Sequence, residues 1–150
     1  MATTRRLLER VPSDKGPWKP HEKSFPLAHL AQLVSSMPGW LINIVTETEL
    51  DLSTGGKYSV ERTDSLLAAF DRHVRDARAA LAGVPDADLA VNWSLKMGPQ
   101  TLFTAPRRAV VRQTISHLVH HRGQLTVYLR LLDVAIPSIY GPTADEGWGG

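Results

Sequence analysis

Between residues 27 and 44 the side chains Leu27, Leu30, Val34, Met37, Leu41 and Ile44 recur at alternating steps of three and four. That spacing places all six on one stripe of an α-helix, and such a stripe needs other helices to cover it. Two further stretches repeat the pattern. Leu67, Phe70, Val74, Ala77 and Leu81 form one seam, and Val111, Thr114, Leu118, His121, Leu125, Tyr128 and Leu132 form another. A shorter segment, Thr4–Val11, carries Leu7, Leu8 and Val11 on one side before Pro12 ends it. Three long seamed helices and one short one predict an all-α fold, an antiparallel up-and-down four-helix bundle.

Helix boundaries follow from caps and breakers. Ser24 is placed to cap the second helix, with Pro26 near its first position, and Pro38 is expected to kink it. Thr63 is placed to cap the third, which Gly83 and Pro85 stop. The loop Pro12–Phe25 is pinned by Trp18, and Asp51–Tyr58 reads as a second loop. Between residues 91 and 104, Trp93, Leu95 and Met97 alternate with polar residues before the turn Gly98-Pro99. A short extended segment or small hairpin is therefore expected before the last helix, which opens at Pro106. One domain spans residues 1–150, and residues 136–150, rich in glycine and proline, are expected as a surface coil.

Composition narrows the function classes. A net charge of +2 with scattered Lys and Arg does not support a nucleic-acid interface. Without cysteine there is no disulfide, CxxC redox pair, thiolate metal site or Cys nucleophile. No run of eighteen apolar residues exists and MATTRRLLER holds no apolar signal core, so no membrane association and a cytoplasmic location are expected.

Three of the six histidines fall in ISHLVHHRGQLTVY, residues 115–128. His117 and His121 are four apart, so on a helix they stack on one face and can reach a single ion. His121 lies in the seam and His117 flanks it, whereas His120 points about 130° away at ~100° per residue. Leu118, Val119 and His120 separate the pair, so the glutamate of an HExxH protease is missing. Two inward imidazoles are either a metal's ligands or core histidines satisfied by hydrogen bonds. Arg122 and Gln124 could orient ligands or lie solvated, and Asp145 and Glu146 could reach back over the site or form a mobile acidic end. Gly123, costly inside a helix, suggests the close approach of another helix.

The segment HLVHHRGQLTVYLRLL with the following PSIYGPTADE, together with the earlier WKPHEKSFPLAHLAQLVSSMPGW, resembles the DinB-like (YfiT-like) family of metal-binding helical bundles. The resemblance covers nearly the whole chain. It implies a homodimeric four-helix bundle, a divalent transition metal (Zn, Ni or Fe) on three histidines, and an enzyme of the small-thiol S-transferase or hydrolase type. His117 and His121 match two of those ligands. The third is implied four residues before Met37, where this chain has Leu33.

His29, one turn earlier, is the nearest substitute, although it lies about 130° from its seam centre. His73 on the third helix is a weaker one. Three outcomes stay open: metal on His117, His121 and a displaced His29; metal on two histidines and water; or a site without metal, with Leu33 beside two neutral histidines. In the last case the chain is a non-catalytic bundle that binds a small ligand or dimerises.

Overall fold

The computed structural model describes residues 1–56, 58–59 and 62–148. Lys57 of the expected second loop and Gly149–Gly150 of the expected tail lie outside the described residues. In chain order the elements are α1 (Ala2–Leu8), α2 (Leu27–Thr46), β1 (Glu49–Asp51), α3 (Thr63–Ala82), α4 (Asp86–Leu89), β2 (Asn92–Met97), β3 (Gln100–Pro106) and α5 (Arg107–Leu131). Short 3₁₀ turns occupy Ser13–Lys15 and Leu52–Thr54.

The all-α expectation is overturned. The described residues form five helices and a three-stranded mixed sheet, with 57% helix and 11% strand, and not a pure four-helix bundle. The segment before α5 is a β2–β3 hairpin whose two-residue turn has Gly98 at φ 56°, a value for which glycine suits the first turn position. Residues 49–51, the last of which opens the expected second loop, pair in parallel with Ser94–Lys96. Asp51 fastens this corner by accepting from the backbone N–H of Ser53 (2.8 Å) and of Gly98 (2.9 Å). Three residues are too few to show strand alternation, and their partner strand lies far along the chain, so no local pattern signals the pairing.

The α2 seam forms as its spacing predicts, whereas the buried faces of α3 and α5 are turned partly from theirs. Leu66 is buried where Leu67 is half-buried, and Val110 and Leu129 are buried where Val111 and Tyr128 are half-buried. All six α2 seam residues are buried, and α2 runs unbroken through a buried Pro38. Caps differ from expectation. Loop carbonyls, not Ser24, satisfy the start of α2: Leu27 N–H donates to Trp18 (2.9 Å) and Ala28 N–H to Gly16 (3.0 Å). Ser13 accepts from Thr63 N–H at 3.0 Å while the Thr63 hydroxyl donates to the Val11 carbonyl, so the first loop caps α3. Trp18 is half-buried, edge-on to Tyr128 at 5.8 Å.

Apolar side chains gather in three places along the helix axes. Leu7, Leu8, Leu27, Leu30, Phe70 and Leu125 form the core at the α1 end. Leu41, Ile44, Ala77, Val110 and the sheet residue Trp93 form the core at the other end. Between them Leu33, Met37 and Leu118 make a smaller patch with Trp40 against it. The sheet is thus a lid across one end of the helices, which the helical seams alone would leave open.

Candidate functional site

α5 carries the site because its register aligns residues four apart. The Nε2 atoms of His117 and His121 lie 2.8 Å apart, and Nδ1 of His121 is 2.7 Å from Oε1 of Gln124. The amide oxygen can only accept, so Nδ1 of His121 carries the hydrogen and its Nε2 is bare. The Nε2–H of His117 then donates to it. His121 is 8% exposed, whereas His117 stands at the surface with its ring 6.1 Å from Trp40.

Although His117 reaches the surface, desolvation by the protein around its ring is the first cause that pushes its pKa below the usual histidine value, and the fields of His121 and His120 add to this. Burial does the same to His121, assisted by His120 and opposed by the Gln124 hydrogen bond. The pair is therefore neutral near pH 7. His120 is exposed, its ring 5.0 Å from that of His121.

The other candidates do not join the pair. His29 is sandwiched between Phe25 (4.2 Å) and Tyr58 (3.9 Å), both rings at 19° to it. Burial lowers its pKa first and the field of His121 second, so it shares the neighbourhood of the pair. His73 faces the opposite side of α2, where its Nδ1–H donates to the Ser35 carbonyl at 3.1 Å and its ring packs over Gly39. Leu33 is 6% exposed and packs with Met37 and Leu118.

Two converging imidazole nitrogens suit a divalent metal, and the Gln124 contact is the kind that orients a ligating histidine. The third donor is not assembled: among the described residues no group of three His, Cys, Asp or Glu side chains could hold a metal ion. The residues present do not make a three-histidine centre.

Arg122 differs from a solvated helix residue. It is 7% exposed, donating to Thr4 Oγ1 (3.2 Å) and to the Tyr140 hydroxyl (2.7 Å), with its guanidinium 5.0 Å from the Tyr140 ring centroid. Asp145 and Glu146 do not cover the histidines. Asp145 pairs with Arg130 and accepts from Ile136 N–H (2.9 Å), and Glu146 pairs with Arg6. The tail is a coil, but one fastened to α1 and α5. A Cβ on Gly123 would meet nothing within 4 Å, so among the described residues no other helix approaches it closely.

Beside His117 a cavity of about 220 Å³ opens under the sheet. Its walls include Trp40, Leu50, Trp93, Phe103 and Val110, and His117 lies at its polar edge with Gln113 and Thr114. Sequence reasoning missed this space because β1 and the hairpin create it. The alternating Trp93 and Leu95 were its only local signal.

Helices closed at one end by a small mixed sheet, with a histidine pair on α5, define an α-rich mixed fold. The chain belongs to the DinB family, whose pattern it matches over residues 2–148. It is similar in fold to the DinB-like protein YjoA of Bacillus subtilis (TM-score 0.68, 18% identity, 97% of this chain and 91% of that one). A DinB-like protein of Bacillus cereus ATCC 10987 aligns equally well (TM-score 0.68, 18% identity, covering 93% and 89%). A 41-residue stretch is 42% identical to the uncharacterized protein YrdA of B. subtilis strain 168, covering 27% of this chain and 25% of YrdA. The chain thus matches about a quarter of that relative's length. No helix among the described residues is long and apolar enough to cross a membrane.

Proposed function

We propose that this DinB-family chain is a small-molecule-binding protein in which the His117–His121 pair acts as a neutral hydrogen-bonding contact, not as part of a complete metal centre. Leu33 carries this reading. At the position where the resemblance implies a third histidine, a buried leucine packs on Met37 and Leu118 and supplies no donor.

Elemental analysis of untagged protein, beside a Leu33→His variant, tests it. The wild type should purify with well under one metal per chain, and the variant should gain one. A tightly held metal in the wild type, surviving dialysis against chelator, sinks the proposal.

The second reading, a metal-dependent S-transferase or hydrolase using His117, His121 and a displaced His29, is favoured by the Gln124 contact that orients His121. It expects stoichiometric metal that is lost in His121→Ala. In either case we propose a homodimer, which sedimentation equilibrium would read directly.

A further inference from the structure

The cavity under the sheet has walls specific enough to name what fits it. An apolar cavity of about 150 Å³ is enough to hold benzene. The 220 Å³ here therefore accommodates one ring with one or two further heavy atoms. Trp40, Trp93 and Phe103 offer aromatic faces and edges, to which a flat ring packs well. Trp93 has no donor to spare, because its indole N–H is given to Asn43 Oδ1 at 3.2 Å.

The polar edge comes from α5, and the hydrogen placement follows from the Gln124 oxygen that faces His121. Gln124 takes the Nδ1 hydrogen of His121, His121 Nε2 accepts from His117, and Nδ1 of His117 is left a bare lone pair. Among the described residues no donor meets it. A ligand beside this ring must bring a donor of its own. A carboxylate would offer this nitrogen no hydrogen and would bring a charge into mostly apolar walls.

We propose that this cavity binds a neutral, single-ring, phenol-type molecule, its ring among Trp40, Trp93 and Phe103 and its hydroxyl donating to Nδ1 of His117. The proposal rests on the metal-free reading of the histidine pair.

Calorimetric titration of the full chain with p-cresol and with p-xylene, the same shape without the donor, tests it. The wild type should bind p-cresol saturably. The ratio of p-cresol to p-xylene affinity should fall about three- to tenfold in His117→Phe, the worth of one hydrogen bond. Val110→Phe, which fills the cavity, should abolish binding of both. If that variant does not fold, Leu52→Trp on the partly exposed turn that also lines the cavity serves instead. No p-cresol binding to the wild type, unchanged binding in the filled variant, or an unchanged ratio in His117→Phe would each overturn the proposal. Elemental analysis of the same sample separates the two readings. One metal per chain defeats the metal-free pair, whereas metal-free protein that ignores p-cresol defeats only the phenol site.

Discussion

His117 and His121 meet through their Nε2 atoms at 2.8 Å, and Gln124, by holding Nδ1 of His121, decides which of the two carries the shared hydrogen. Protonating the acceptor would break this arrangement, because two N–H groups would then face each other.

A pH dependence of stability follows. Both folded-state pKa values lie below the ordinary histidine value, chiefly through burial. As pH falls below about 6.5 the unfolded chain takes up protons first, so stability declines. The decline ends below the folded pKa values, where both states are protonated. Melting temperature should drop between pH 7.5 and 5, and less steeply in a His117→Phe/His121→Phe double variant. Imidazole NMR titrations with midpoints at or above 6.5 would contradict it.

The second prediction concerns Arg122, a buried cation that joins α5 to Thr4 of α1 and to Tyr140 of the tail. Tyr140→Phe removes one hydrogen bond but keeps the ring, and because Tyr140 is 78% exposed it should cost about 0.5–1.5 kcal/mol. Arg122→Met removes the charge and fills similar space, so its cost should be no larger and can approach zero. Urea melts of the two variants decide the order. If Arg122→Met proves much the worse, the guanidinium has a further role.

The third prediction concerns the tail. Asp145 is held below the usual carboxylate range first by its hydrogen bond to Arg130 and then by Ile136 N–H. A depressed carboxylate pKa means that the contribution is present above the unfolded value, about 3.9, and is lost as pH falls through the folded one. At pH 7 Asp145→Asn should release residues 136–148 to proteolysis while the helical signal by circular dichroism stays intact. Equal cleavage of variant and wild type would show that the tail is held by other contacts.

The helical register was open to reading because α-helix periodicity is local. The spacing of Leu27 to Ile44 predicted a buried face that is buried, and the angle between His120 and the 117/121 pair predicted which histidines would meet. Arg122 stayed open between two readings for the opposite reason. On the wheel it adjoins the seam, and only the arrival of Thr4 and Tyr140 from distant parts of the chain encloses it. Ser24 failed as a cap because loop carbonyls from Gly16 and Trp18 fold back onto the same N–H groups.

What the sequence determined by itself is therefore one-dimensional: helix faces, a glycine-dependent hairpin turn, and a histidine pair whose i, i+4 geometry needs no partner element. Tertiary structure decided the rest. It paired Glu49–Asp51 with Ser94–Lys96, made a sheet where a helical bundle was expected, and roofed a cavity beside His117. It also stacked His29 between Phe25 and Tyr58 and seated Leu33 on Leu118. The reason is physical. Helical spacing is enforced by hydrogen bonds four residues apart, whereas strand pairing and enclosure depend on segments whose separation leaves no trace in local pattern.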